Sequence, residues 1–503
     1  TGYGFSSKPT EAPHYNSQWD YIQKFVNLTY NGQDASVTAV RFYISWDAYE
    51  PTLGVYKRAE LVQAIQDIVN LKGGTMKIAL HFPYSRPGLW NDSYFADSSV
   101  ARIYNGTYIR NDISITCPSI YSEYARNRYY AFVNDALAQL SSFYNKILFV
   151  EAGCTSAEEF SMPWLNIDGY TYPGMHDDNA ARAWRTEYLP CRYPGQSTVT
   201  WDGNTHTIAN APLAAQGQWP SWSTDHGKEF HRFASWGLMR FYKGFRDVVK
   251  SRSNNLKVIY FVSDFGSPQG NATHLHNASL PMAMNEFDGV YTSEADLDNI
   301  QEKIMALDVL KGTNPNKLAM VEFDPTDLGQ GYAGPEHILP GVAETWIPRA
   351  YKHGADYVLL AMHYHDPAIS TLAPALAMIR TNYVNGTYQS PSRQTSVNVN
   401  TAPTVFLGGH LFMGTWRDQL SGNNWTTTDN NPVSINMTDN NYWENTWSCT
   451  TSNPCDFNIT ASSNPSSVSA SGAVALNYSC SGSSCSGVTY AWSGNGISGS
   501  TSP

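Results

Sequence analysis

Residues 38–45 read TAVRFYIS and residues 76–82 read MKIALHF, two apolar runs of strand length on either side of a helical pattern. Further runs of this kind recur through the first 385 residues, with amphipathic segments between them. Near-continuous apolar strands that alternate with helices are typical of a parallel sheet covered on both faces. We predict strands at 3–5, 38–45, 76–82, 147–153, 258–263, 287–292, 318–322 and 357–362.

The segments between these strands show helical periodicity. The apolar positions that share one helical face are Leu61, Ile65, Ile68 and Val69 in one segment and Val133, Leu137 and Leu140 in another. Eight strands separated by helices favour a closed (β/α)8 TIM barrel over an open doubly wound sheet. The first strand is not followed by Gly-x-Gly-x-x-Gly, which argues against a dinucleotide-binding fold.

Composition limits the compartment and the partners. The 503 residues are 42% hydrophobic and 15% charged, with a net charge of −11, which disfavours nucleic acid or an anionic membrane as partner. The sequence has no apolar run of roughly 18–20 residues, so we expect no membrane insertion. It starts at Thr1 without a basic, apolar leader, as a processed protein would. We expect a secreted, periplasmic or cell-surface bacterial protein.

The cysteines also favour an oxidising compartment. Two close pairs, Cys449 with Cys455 and Cys480 with Cys485, lie on a polar C-terminal background, and we predict a disulfide in each. Cys117 and Cys191 fall in segments expected at one end of the barrel, so a third pair is possible between them. We expect Cys154, on the fourth strand, to be a buried thiol. A C-x-x-C spacing is absent, which makes metal the weaker interpretation.

The stretch 160–228, after the fourth strand, is far longer than an ordinary βα loop. It is rich in aromatic residues, namely Trp164, Trp184, Trp201, Trp219, Trp222, Tyr170 and Tyr172. Loops at this end of a barrel form the active-site face, so we interpret 160–228 as a lid or a substrate-binding subdomain. The alternative is a small β subdomain whose tryptophans fill only its own core.

The character of the chain changes after residue 387. We predict a catalytic barrel over 1–387, a linker over 388–400, a small β module or appendage over 401–455, and a second β segment over 456–503. The last segment resembles the first half of the immunoglobulin-like repeats at the C-termini of secreted bacterial carbohydrate enzymes. It has about half of the roughly 100 residues of a full sandwich.

Two glutamates carry the chemical hypothesis. Glu159 follows the fourth strand, and Glu322 ends the seventh. Cleavage of a glycosidic bond needs one carboxyl group to protonate the departing oxygen and a second to attack carbon or to activate water. An acid at the end of an apolar strand is costly unless it is paired or functional. We predict that Glu159 and Glu322 are the catalytic pair of a glycoside hydrolase that uses no cofactor.

The second strand and the loop after it carry a motif that resembles a known group of enzymes. It reads Arg41, then Trp46, then Glu50-Pro51 and Gly54-x-Tyr56, and this order resembles the second strand and loop of the clan-A glycoside hydrolases. These are retaining (β/α)8 enzymes that include β-galactosidases, cellulases and xylanases. The resemblance implies that Arg41 orients the nucleophile, that Glu322 is that nucleophile, and that the acid/base lies after strand four.

The strand-four motif departs from the clan-A pattern. Where clan A commonly has Asn-Glu, this chain has Glu158-Glu159, and Glu159-x-x-x-Pro163 resembles the β-amylases instead. Adjacent residues on a strand point in opposite directions, so only one of the two glutamates faces the site. We favour Glu159 as the acid, with Glu158 as the alternative. The β-amylase resemblance implies inversion, whereas the clan-A pattern implies retention, which we prefer.

Further polar and aromatic residues follow the predicted strands or lie on adjoining loops. A pocket of carboxylates, histidines and flat rings suits the alternating polar and apolar faces of a sugar. The residues that we expect to bind or position substrate are Arg41, Trp46, His81, Trp90, Glu158, Trp164, Asp264, Glu294, His363 and His365.

Two other functions fit parts of the pattern. His81, Asp264 and the His363-x-His365 pair could gather a metal, as in barrel amidohydrolases, although those usually carry His-x-His on the first strand. A barrel that only binds glycan is the non-enzymatic alternative, and two intact carboxylates weigh against it. The sugar, the linkage, endo or exo action and the oligomeric state are not encoded in any motif that we find.

Overall fold

The structure is a computed structural model of the 503-residue chain. The residues that it describes are 3–5, 19, 22–84, 86–87, 99–103, 105–107, 115–153, 164–167, 170–213, 224–262, 286–295, 307–308, 310–312, 314–323, 342–360 and 366–386, together with short strands between 397 and 501.

Eight parallel strands form one sheet, and they pair in chain order. Their bounds are β1 Tyr3–Phe5, β2 Ala39–Ile44, β3 Lys77–Pro83, β4 Ile147–Gly153, β5 Val258–Val262, β6 Gly289–Ala295, β7 Leu318–Phe323 and β8 Tyr357–Leu360. All eight predicted strands are present, with ends that differ from prediction by at most three residues.

Ring contacts across the sheet show how strongly it curls. The rings of Phe149 on β4 and Tyr357 on β8 are 6.3 Å apart, although four strand spacings separate their strands. Arg41 on β2 lies 5.5 Å from the ring of Tyr291 on β6, again four strands away. In a flat sheet four spacings amount to about 19 Å. The sheet therefore wraps into the predicted (β/α)8 barrel, although the described ladders include none between β8 and β1.

In the described part of the chain, five long helices flank the strands. They are α1 Arg58–Gly74, interrupted at Leu71–Gly73, α2 Glu123–Gln139, α3 Asp225–Arg252, α4 Val342–Lys352 and α5 Asp366–Ile379. The predicted faces of α1 and α2 are buried as expected. Shorter helical segments are Trp46–Tyr49, Ser141–Lys146, Asp178–Ala183, Trp184–Tyr188, Leu189–Arg192, Ile208–Asn210 and Arg380–Val384.

The outer face of the strands packs on these helices through apolar side chains. Phe82 on β3 contacts Phe132 of α2 at 5.5 Å and Phe245 of α3 at 6.3 Å between ring centroids. On the same outer face, at β7, Phe323 stacks on Trp346 of α4 at 4.7 Å. Because side chains alternate along a strand, the neighbours of these residues point into the barrel. The main core lies between the sheet and the helices.

The insertion after β4 has secondary structure of its own. Two antiparallel hairpins, Trp164–Ile167 with Tyr170–Pro173 and Thr198–Trp201 with Asn204–Thr207, flank its short helices. Trp184 and Trp201 are buried with their rings 5.7 Å apart, and Trp184 meets Phe233 of α3 at 5.1 Å. These two tryptophans fill the insertion's own core, as the alternative interpretation held. They are not sugar platforms.

Cys117 is buried beside Ala101 and Ile103 and is not part of a disulfide, whereas Cys191 is disulfide-bonded. The possible pairing of Cys117 with Cys191 is therefore wrong. Cys154 and the four C-terminal cysteines lie outside the described residues, so the predicted C-terminal pairs and the Cys154 thiol stay predictions.

The chain divides into two compact units, Thr1–Thr446 and Trp447–Pro503. In the first unit, short strands after the barrel are Val397–Asn400, Leu411–Phe412, Thr415–Arg417, Asn424–Thr426 and Ile435–Thr438. In the second unit, Thr460–Asn464 pairs with Ala475–Ser479, and Tyr490–Gly494 pairs with Ile497–Thr501. The domain boundaries and the immunoglobulin-like topology remain predictions. Within the described residues, none of the helices has the length and apolar character that crossing a bilayer requires.

Candidate active site

Polar side chains from five strands converge inside the barrel. We call this set the polar ring, and its members are Arg41 on β2, His81 on β3, Glu151 on β4, Tyr291 on β6 and Glu322 on β7. The strand register places His81 beside Glu151, and the side chain of Arg41 reaches both of them. His81, Glu151 and Glu322 lie past the middle of their strands, towards the carboxyl ends at which (β/α)8 barrels carry their active sites, whereas Arg41 and Tyr291 lie earlier in theirs.

Glu151 is completely buried, and its contacts within the ring are basic. Arg41 donates from Nε to Glu151 Oε1 at 2.5 Å, and His81 Nδ1 lies 3.1 Å from the same oxygen. Burial by itself raises the pKa of a carboxyl group, but the charge of Arg41 and the contacts with His81 and Arg41 hold the pKa of Glu151 below its ordinary value. Glu151 is therefore an ionised group inside the barrel.

His81 is held by a second contact. Arg41 Nη2 lies 2.9 Å from His81 Nδ1, and the imidazole stacks on Tyr43 with ring centroids 5.0 Å apart. A guanidinium only donates, so Nδ1 can accept from Arg41 or donate to Glu151, but not both in one tautomer. In either tautomer His81 is fixed in the barrel wall.

Glu322, the predicted nucleophile, faces the barrel interior and is half-buried. The hydroxyl of Tyr291 donates a hydrogen bond to Glu322 Oε2. The Arg41 guanidinium lies over the ring of that same tyrosine. Tyr291 therefore connects the Arg41–Glu151 ion pair to the Glu322 carboxylate, which it orients.

A cavity of about 230 Å³ reaches the polar ring, and Arg41, Tyr291 and Glu322 contribute to its wall. Much of its remaining lining is apolar and includes Thr38 and Leu148, near the amino-terminal ends of their strands. The cavity thus runs away from the rim at which substrate enters a barrel of this kind. We regard it as space beneath the site rather than as the substrate cleft.

Several predicted site residues cannot be placed. Those outside the described residues are Glu158, Glu159, Trp90, Asp264, His363 and His365. Trp164 and Glu294 are described only as backbone, on the strands Trp164–Ile167 and Gly289–Ala295. The facing of Glu159 and Glu322 across the barrel stays a prediction.

Two predicted substrate-binding residues lie in the protein interior instead. Trp46 is 0% exposed, stacks on Phe132 at 5.6 Å and donates from Nε1 to Glu50 at 2.8 Å. It belongs to the core between the sheet and α2, because the chain turns into a short helix directly after β2. His81 is also fully buried and lies within β3 rather than after it. These positions do not support direct contact with a sugar.

Sequence reasoning missed Glu151 and Tyr291. Glu151 is the single acid in the apolar run 147–153, and alternation from Phe149 places it on the inner face. Tyr291 reads as an ordinary aromatic residue of a strand. In both cases the available signal was side-chain alternation, because a residue two positions from an inward-facing residue of the same strand also faces inward.

The metal alternative receives no support from the described part of the chain, where no three His, Cys, Asp or Glu side chains gather as ligands. Its proposed ligands Asp264, His363 and His365 lie outside that part, so this alternative is not tested.

Solved structures share the barrel fold. A β-galactosidase from the Antarctic haloarchaeon Halorubrum lacusprofundi matches with a TM-score of 0.53 and 15% identity, over 79% of this chain and 60% of that chain. The catalytic domain of a β-amylase from Paenibacillus polymyxa matches with a TM-score of 0.52 and 11% identity, over 72% and 91%. A β-galactosidase from Bacillus circulans sp. alkalophilus matches with a TM-score of 0.51 and 15% identity, over 75% and 55%.

At these identities the matches establish the fold. Two of these structures are β-galactosidases and one is a β-amylase. The chain spans about 60% of the length of the haloarchaeal enzyme. No protein-family model matches the sequence, and no curated protein matches it either.

Proposed function

We propose that this protein is a secreted glycoside hydrolase that cleaves an oligo- or polysaccharide with two carboxylates, Glu322 as the nucleophile and Glu159 as the acid/base. The observation that carries the proposal is Glu322 itself. It is an inward-facing carboxylate at the carboxyl end of β7, hydrogen-bonded by Tyr291, in a (β/α)8 barrel.

The chemistry of the polar ring fits this role. A nucleophilic carboxylate must be ionised while its partner acid stays protonated, and the two are tuned by different surroundings. The Tyr291 hydroxyl and the nearby Arg41 favour the ionised form of Glu322. Glu159 follows β4 in the sequence, so we expect it at the same end of the barrel.

Substrate class follows less directly. The structures that share the fold include two β-galactosidases and a β-amylase, so an aryl β-galactoside and an amylose-type glucan are the first substrates to test. Together with aryl β-glucosides and β-xylosides, they form a panel that separates galactosidase, amylase and other glycosidase activities.

The first test compares Glu322→Gln with the unchanged protein on this panel. Removal of the attacking carboxylate should lower kcat by at least about 10³-fold, because no group remains to attack carbon or to activate water. Glu286→Gln is the matched control, since Glu286 pairs with Arg246 at the amino-terminal side of β6, away from the site. Near-normal turnover by Glu322→Gln would end the assignment.

The acid is assigned by two separate variants, Glu158→Gln and Glu159→Gln. Loss of the general acid harms substrates with poor leaving groups most, because a good leaving group departs without protonation. We expect Glu159→Gln to lose turnover of an alkyl glycoside far more than that of a dinitrophenyl glycoside. The same pattern in Glu158→Gln alone would transfer the role to Glu158.

Stereochemistry separates the two resemblances. Retention needs the carboxyl groups about 5–5.5 Å apart, whereas inversion leaves roughly 6.5–9.5 Å for a water molecule. NMR of the first product should show the retained anomer. The inverted anomer would make Glu322 a general base, as the β-amylase-like motif after strand four implies.

Secretion rests on the C-terminal cysteines and the composition. Peptide mapping without reduction should recover Cys449 linked to Cys455 and Cys480 linked to Cys485. Free thiols at these positions in protein secreted by the native host would contradict both pairs.

A further inference from the structure

Glu151 is a buried carboxylate that the proposed chemistry does not use. It is 0% exposed, so it cannot touch a sugar. Its Oε1 accepts a hydrogen bond from Arg41 Nε and lies beside His81 Nδ1, whereas its Oε2 has no hydrogen-bond partner among the residues that the structure describes. A buried carboxylate oxygen that lacks a hydrogen bond carries a desolvation cost of its own.

A second buried acid–histidine pair shows what a more fully satisfied arrangement looks like. Asp308 and His353 are both buried, and His353 Nδ1 lies 2.9 Å from Oδ1 and 3.1 Å from Oδ2 of Asp308. Both carboxylate oxygens are engaged there. That pair lies at the amino-terminal end of the barrel, since His353 comes between α4 and β8.

The contacts of Glu151 lead towards the candidate nucleophile. Glu151 holds the Nε edge of Arg41, and Arg41 lies 5.5 Å from the ring centroid of Tyr291. Tyr291 in turn donates its hydroxyl to Glu322. Residues that retain an energetic cost are expected where function requires them, and this chain of contacts ends at the site.

We propose that Glu151 is a positioning residue that fixes Arg41 by its Nε edge, and that this placement keeps Tyr291 aimed at Glu322. The proposal rests on the proposed function, because it treats Glu322 as the reacting carboxylate. Without the charge of Glu151, Arg41 is drawn towards Glu322, the other carboxylate of the polar ring. The guanidinium then moves off the Tyr291 ring, and the hydroxyl of Tyr291 no longer points at Glu322.

The test compares Glu151→Gln with Asp308→Asn in the full chain. Each variant replaces a fully buried carboxylate beside a histidine by its amide, so both should lose stability in urea unfolding. Only Glu151→Gln should lower kcat on the best aryl glycoside of the panel, by about 100-fold, because small displacements of reacting groups have effects of this size. KM should stay within about twofold, since the residue does not touch the sugar.

A crystal structure of Glu151→Gln gives a readout that does not depend on activity. We expect Arg41 to leave the Tyr291 ring and the Tyr291–Glu322 hydrogen bond to be lost. The proposal is overturned if both contacts persist, if kcat is unchanged, or if Asp308→Asn lowers kcat equally. If the unchanged protein cleaves no glycoside, the proposed function fails. The two contacts in the variant's crystal structure then decide alone whether Glu151 positions Arg41.

Discussion

The polar ring and the insertion each bury a carboxylate, but they treat its charge in opposite ways. In the ring, Arg41 and His81 hold the pKa of Glu151 below its ordinary value despite complete burial. In the insertion, burial raises the pKa of Asp177 to about 6, although the Ser119 hydroxyl and the N–H groups of Asn179 and Ala180 donate to it. The barrel supplies a cation for its buried acid, whereas the described hydrogen-bond partners of Asp177 supply only dipoles.

The two carboxylates consequently have opposite effects on stability as pH changes. The folded pKa of Glu151 is below its unfolded value, so its contribution is present at neutral pH and is lost on acidification. The folded pKa of Asp177 is above its unfolded value of 3.8, so its contribution is full below that pH and is lost as pH rises through about 6. Asp177 caps the helix Asp178–Ala183, which is a structural role.

The aromatic residues of the polar ring and of the insertion also differ in what they contact. Tyr291 of the polar ring directs its hydroxyl to the candidate nucleophile, whereas Trp184 and Trp201 of the insertion pack on each other and on α3. Under the proposed function, the ring carries the chemistry and the described part of the insertion contributes stability. Substitutions in the two regions should therefore separate turnover from stability.

The largest effect is expected from Trp184→Ala. Trp184 is fully buried and contacts Tyr188, Trp201 and Phe233, so its truncation should lower the free energy of unfolding by about 3–5 kcal/mol. Urea unfolding measures the free energy lost. Trp184→Phe should lose less stability than Trp184→Ala, because it keeps an aromatic ring in the core. A folded Trp184→Ala protein of normal stability with impaired KM would instead restore a substrate-binding role for this tryptophan.

A smaller effect is expected from the titration of Asp177, which should change the free energy of unfolding by about 3 kcal/mol as the pH rises. The shift of its pKa by about two units corresponds to this free energy, and Asp177→Asn removes the titration while keeping a capping oxygen. Unfolding in urea at pH 4, 5, 6 and 7 should show the unchanged protein losing stability relative to the variant as pH rises. A constant difference across this range would contradict the raised pKa.

The smallest of these effects, about 1.5–3 kcal/mol in activation free energy, is expected from Tyr291→Phe. The change removes one hydrogen bond to a charged group and keeps the ring beneath Arg41, so kcat should fall roughly ten- to a hundred-fold. Tyr129→Phe is the matched control, because its hydroxyl donates to the Phe82 carbonyl at 2.7 Å in the outer layer. Equal kcat values for the two variants would contradict a role for Tyr291 in catalysis.

Sequence patterns were sufficient for the eight strands and for the buried faces of α1 and α2, because burial on both sides of a parallel sheet leaves a continuous apolar signal. They were insufficient for Trp46, whose burial depends on how the chain turns after β2 towards α2. The motif placed this tryptophan near the site, but no local pattern distinguishes a ring in the core from one in the cleft.

The polar ring was predictable only in part. Arg41 and Glu322 were found because they match a known motif or end a strand, and the structure places both inside the barrel. Glu151 was missed because an acid within an apolar strand has meaning only through residues of other strands, here Arg41 and His81. Contacts between distant segments of the chain are the information that periodicity lacks.

The central claim is that Glu322 is the carboxylate that attacks the sugar. An activated 2-deoxy-2-fluoro glycoside of the preferred sugar slows release of a covalent intermediate and lets the modified residue be identified by peptide mass mapping. The account predicts one added glycosyl mass, on the peptide that contains Glu322, and none in Glu322→Gln. Label on another carboxylate, or efficient hydrolysis of the parent glycoside with no label and an inverted product, would contradict it.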